Sequence, residues 1–110
     1  MKNKKLIKLA GKAIGVKVKF AEDGYPFFYD ETFYHFWNPL EDDGDALRLA
    51  LALDISVCVY HDCSQPKPWL RVEDSEGNWV FVDPDKFGKC KFSATRRAIV
   101  EAAAFIGSRK

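Results

Sequence analysis

Apolar and polar residues follow two rhythms along this chain, and the switches between them mark its elements. From Asn3 to Ile14, Leu6, Leu9, Ala10 and Ala13 recur at steps of three and four, with Lys5, Lys8 and Lys12 opposite. That spacing predicts an amphipathic helix, with Asn3 placed to cap it and Gly15 to stop it. Val16 to Phe20 alternates strictly, as a half-buried strand does, and sends Lys17 and Lys19 toward water. A second helix is expected from Asp42 or Asp43 to Leu53. Its polar stripe is reduced to Asp45 and Arg48, so it should be mostly buried.

Three strands are expected next, over Ile55–Tyr60, Trp69–Glu73 and Trp79–Val82. The first and third carry almost no charge on either phase, the pattern of strands covered on both faces. Asp74 to Asn78 forms a hairpin loop with Gly77 late in it, and Gln65 to Pro68 an extended connector. The last helix is expected from Ser93 to Ile106, with Ile99, Ala102, Ala103 and Ile106 on one face and Gly107 as its stop. Links this short between strands imply antiparallel pairing, and doubly covered strands need helices on both sides. The pattern therefore predicts an α+β fold, a three-layer helix–sheet–helix sandwich with a mainly antiparallel sheet, in one domain over residues 1–110. A chain of 110 residues buries roughly two thirds of its unfolded surface, enough for a core without staples.

Charge narrows the function classes. Seventeen basic and sixteen acidic side chains leave a formal charge of +1, which gives no prior for nucleic acid. Lysines crowd the first twenty positions, but Lys5, Lys8, Lys12, Lys17 and Lys19 read first as a wetted helix face and strand edge. No export signal or membrane span is expected, and an odd count of three cysteines suits a reducing compartment, the cytosol.

Trp37 to Leu53 (WNPLEDDGDALRLALAL) and Ala94 to Gly107 (ATRRAIVEAAAFIG) resemble the phage ABA-sandwich family of small bacteriophage and prophage proteins. The resemblance implies the same layered architecture. It implies an accessory role in a phage genome and names no reaction.

Four groups of residues carry candidate chemistry. Glu41, Asp42, Asp43 and Asp45 could hold Mg²⁺ or Ca²⁺, but they stand where a helix start wants carboxylates, and capping is the expected role. Cys58, His61, Cys63 and Cys90 are legal zinc ligands, yet their spacing is not that of a zinc knuckle, so no metal or other cofactor is expected. Ser93, Thr95, Arg96 and Arg97 at the start of the last helix form a candidate cradle for a nucleotide or other small anion. The competing reading pairs the two arginines internally, with Asp42, Asp43 or Asp45 and with Glu101. Finally, Tyr25, Phe27, Tyr29, Tyr34 and Trp37 form either a protein-binding patch or the filling of one sheet face.

The leading expectation is a non-catalytic phage or prophage accessory protein that binds a host or phage protein, for instance as an inhibitor of host defence of the anti-CRISPR kind. A module binding a small anionic ligand and a metal-dependent hydrolase are the alternatives. Nucleic acid and membrane are not expected partners.

Overall fold

The computed structural model describes residues 2–60, 69–82 and 90–110. Along the chain come α1 (Asn3–Ala13), β1 (Lys19–Phe20), β2 (Pro26–Tyr29), β3 (Tyr34–Phe36), α2 (Asp43–Ala52), β4 (Ser56–Tyr60), β5 (Trp69–Glu73), β6 (Trp79–Val82) and α3 (Lys91–Ser108). The fold is α+β: three helices and two antiparallel three-stranded meanders, β1-β2-β3 and β4-β5-β6. The strands are thus divided between two sheets rather than gathered in one.

Small residues let α1 and α3 cross closely. Ala10 and Ala13 of α1 and Ala103, Ala104 and Gly107 of α3 are all buried. Gly107 does not stop α3, as its position in the sequence suggests; the helix runs through it to Ser108. Its role is packing, because a Cβ there would stand 1.8 Å from the Leu9 carbonyl oxygen. Gly15 does end α1, with φ at +80°, a conformation that costs other residues a steric clash. Lys110 Nζ donates to the Ala13 carbonyl at 2.7 Å and occupies one of the acceptors left open there. Asn3 is not the cap of α1. Lys2 holds that position, and Asn3 Oδ1 instead accepts from Arg97 Nη1 at 2.7 Å.

Two burial expectations need correction. In α2 only Asp45, Ala46, Leu49 and Ala50 are buried, while Leu47 and Leu51 face out. That helix packs against α3, and its second apolar flank is not covered by the described residues. Likewise Val57 on β4 and Trp79 on β6 are exposed, whereas Val72, on the central strand and paired with Val57, is buried. The strand expected over Val16–Phe20 is paired only at Lys19 and Phe20, although the alternation holds and Val18 is buried.

The β5–β6 hairpin closes as expected through Asp74–Asn78, with Gly77 at φ +89°. Buried Asp74 accepts from the Glu76 and Asn78 amides and from Asn78 Nδ2, so the loop is tied to one carboxylate. The connector Gln65 to Pro68 lies outside the described residues. Among the described residues, an apolar cluster runs from Leu6 and Ile7 through Val18, Trp37 and Leu49 to Val72, Ile99 and Val100. Among the described residues, no helix is long and apolar enough to cross a membrane.

Candidate binding face

The first meander sorts its aromatic side chains by register. Phe27 pairs with Phe36 and Tyr29 with Tyr34, so these four rings share one face. Phe28 pairs with His35 and belongs to the other face, where its ring stands 6.3 Å from Trp37 and packs on the core. A segment apolar on both phases thereby becomes a sheet with one face inside and one outside.

The outer face is a connected array of rings. Tyr25 meets Phe36 edge-on at 5.4 Å, Phe36 meets Tyr34 at 5.3 Å, and Phe27 meets Tyr29 at 5.5 Å and Tyr34 at 6.1 Å. Each such pair contributes about 0.5–1.5 kcal/mol beyond area burial, so the rings fix one another. Yet Tyr29 is 61% exposed, Tyr34 54% and Phe36 60%. Phe33 in the adjoining turn is also exposed. Lys19, across from Phe27 on β1, lays its ammonium 5.6 Å from the Tyr29 ring centroid.

Both ends of this face are acidic. Asp30 builds the β2–β3 turn by accepting from the Thr32 and Phe33 amides, and it also bonds His35 Nε2. The Phe33 amide first, then Thr32 and His35, hold the Asp30 carboxyl well below the usual carboxylate range. At the far end Asp23 accepts from the Tyr25 amide. Burial first, and then the Asp45, Glu41 and Asp42 carboxylates, keep the Tyr25 phenol above its ordinary value.

Of the five aromatic residues singled out in the sequence, Tyr25, Phe27, Tyr29 and Tyr34 lie on this face. Trp37 does not. It is 6% exposed, on the opposite phase, and part of the core. Phe36 and Lys19 belong to the face as well, beyond the five residues named from the sequence. Reading the hairpin as two alternating strands mirrored about Asp30–Phe33 would have found them.

The anion candidates are already engaged with the protein. Because α3 starts at Lys91, Arg96 and Arg97 stand in its second turn, past the helix-end amides. Arg96 Nε donates to the Leu40 carbonyl at 2.9 Å, Nη1 to Asp43 at 2.6 Å and Nη2 to Ser93 Oγ at 3.2 Å. Arg97 donates to Glu101 at 3.2 Å as well as to Asn3. Thr95 Oγ1 turns back to the Lys91 carbonyl.

The aspartates of α2 part ways. Asp42 caps the helix by accepting from the Asp45 amide at 2.9 Å, and Asp43 pairs with Arg96. Buried Asp45 accepts from the Asn38 amide and from Arg48, which pins the Trp-Asn-Pro turn to the helix. Cys58 lies half-buried in β4 and Cys90 is exposed at the N-cap of α3, while His61 and Cys63 are outside the described residues. Among the described residues, no group of three or more His, Cys, Asp or Glu side chains is placed to hold a metal ion.

No family model, no curated protein and no solved structure matches the chain.

Proposed function

We propose that this is a non-catalytic accessory protein that acts by binding another protein through the outer face of β1-β2-β3. The observation that carries the proposal is the set of Tyr29, Tyr34 and Phe36 rings, held in place by one another and open to solvent. Exposed apolar patches of this kind mark interfaces. Aromatic side chains also lose little conformational freedom on docking, and these already contact one another.

The phage or prophage setting belongs to the same proposal, as does a host-defence component as the target and the bacterial cytosol as the place of action. Its support is the resemblance of the Trp37–Leu53 and Ala94–Gly107 stretches and the odd cysteine count. The helix–sheet–helix layering implied by the strand pattern is part of it too, supported by α3 lying against β5 and β6. The anion-binding alternative has less in its favour, since each guanidinium already has protein acceptors.

Affinity capture from host lysate tests the proposal. Wild type should retain a partner that the Tyr29→Ala and Tyr34→Ala variants lose. Equal recovery by all three removes the aromatic face from the account.

A further inference from the structure

Accepting that reading of the face, the structure also indicates what kind of chain lies on it. Among the described residues, β3 is an edge of its sheet. Its bonded partners across β2 are Trp37 with Pro26, His35 with Phe28 and Phe33 with Asp30. By the alternation of an antiparallel ladder, the N–H and C=O groups of Tyr34 and Phe36 therefore point the other way, toward the open edge. The same two residues carry rings of the outer face. A backbone template and an aromatic surface thus meet along one short strand.

Charge selects the occupant. Between Phe20 and Leu47 the sequence has no Lys or Arg; Asp43 is paired with Arg96 and Asp45 with Arg48, and the other carboxylates are Glu22, Asp23, Asp30 (bonded to His35), Glu31, Glu41 and Asp42. They fall at both ends of the face, in the β1–β2 and β2–β3 turns and at the start of α2. Lys17 and Lys19 sit on the β1 side, away from the β3 edge. A second copy would bring carboxylates against carboxylates, and nucleic acid would bring phosphates. The faces of the rings accept cations, as the Lys19 ammonium over Tyr29 already demonstrates.

We propose that the β3 edge takes up an extended, arginine- or lysine-bearing segment of a protein partner as a fourth, antiparallel strand, with its basic side chains laid over the Tyr34 and Phe36 rings. The main chain supplies affinity through the Tyr34 and Phe36 amides and carbonyls, and the alternate basic side chains supply selectivity. The geometry fixes a phase. In an antiparallel pair, the residues opposite Tyr34 and Phe36 direct both their side chains to the aromatic face and their own amides to β3.

Fluorescence anisotropy with the full chain tests this with four labelled probes: a hexapeptide alternating arginine and threonine, its glutamate counterpart, and two arginine peptides N-methylated on alternate amides. The arginine peptide should bind and the glutamate peptide should not. N-methylation of the arginine amides should weaken binding about tenfold or more, the loss of about two main-chain hydrogen bonds. N-methylation of the threonine amides should leave it unchanged, because those amides face solvent. These changes are made on the peptide, so the protein's folding is not in question.

Equal binding of arginine and glutamate peptides, or equal effects of the two methylations, overturns the proposal. So does preferential binding of a thymidine oligonucleotide, or a stable dimer that occludes β3 in sedimentation. If lysate capture still depends on Tyr29 and Tyr34 while the peptides fail in this pattern, strand addition alone is wrong. If capture ignores both tyrosines, the face itself is wrong.

Discussion

Arg96 and Asp43 join α3 to the start of α2 through a 2.6 Å contact in which the arginine is sheltered and the aspartate is not, at 17% and 72% side-chain exposure. The asymmetry divides the energetics. The exposed carboxylate is solvated and screened, so Asp43→Asn should change stability by about 1 kcal/mol or less. Arg96→Met also strands the half-buried Leu40 carbonyl, and should cost about 1–3 kcal/mol. Urea denaturation of the two variants compares them. Equal losses would mean the ion pair, not the carbonyl bond, holds this junction.

The crossing of α1 and α3 gives a steeper prediction. Gly107→Ala drives a methyl into the Leu9 backbone and should cost about 3 kcal/mol or more, the upper range of overpacking. Gly11→Ala meets a methyl group of buried, β-branched Val18 at 2.5 Å rather than backbone, so a side chain must shift, but the change gains about 1 kcal/mol of helix propensity in return. Chemical denaturation should therefore rank Gly107→Ala as much the more damaging. The reverse order would show that the helices slide apart without penalty.

These two glycines also mark what the sequence could and could not disclose. Gly15 and Gly107 each follow an apolar helical stretch, and the same stop signal fits both. Only at Gly15 is the backbone left-handed; at Gly107 the neighbour that forbids a side chain belongs to a helix more than ninety residues earlier. Local periodicity located all three helices, because their apolar stripes are self-contained. It could not sort the aromatic segment, where both phases are apolar and only the pairing of Phe27 with Phe36 separates face from core. For the same reason the sequence alone does not separate Trp37, which faces inward, from Tyr25 and Tyr34. The outward leucines of α2 were equally illegible, since nothing local says that only one side of a helix will be covered.

Acid should loosen the molecule at two defined turns. Asp74 is pushed up by burial, but hydrogen bonds from the Asn78 side chain and amide and the Glu76 amide, with Arg109 nearby, outweigh that and leave it lowered. Asp30 is lowered as well. A carboxyl depressed by folding stabilises the native state above its unfolded value, about 4, and that contribution is lost as pH falls further. Thermal melts from neutral pH down to about pH 3 should show stability falling, and Asp74→Asn should flatten the fall. An unchanged profile in that variant would clear Asp74 of the effect.

Cys90 should be the more reactive of the two described thiols. The Ser93 amide first, then the Ser93 hydroxyl and the Phe92 amide, lower its pKa at the exposed N-cap of α3, whereas Cys58 is half-buried in a strand. Brief iodoacetamide treatment followed by peptide mapping should find Cys90 modified ahead of Cys58. Ser93→Ala should slow labelling at Cys90 and leave Cys58 alone. Similar rates at both sites would discount the N-cap effect.

Asn3 meets Arg97, and Ala13 meets Lys110, across 94 and 97 positions of chain. During translation, α1 therefore emerges long before the helix that shelters Leu6 and Ile7 has been made. Until α3 clears the ribosome, that greasy stripe has no seat, and contacts so distant form slowly. Docking of α3 onto α1 should therefore be the slow step of folding, after the local hairpins have formed.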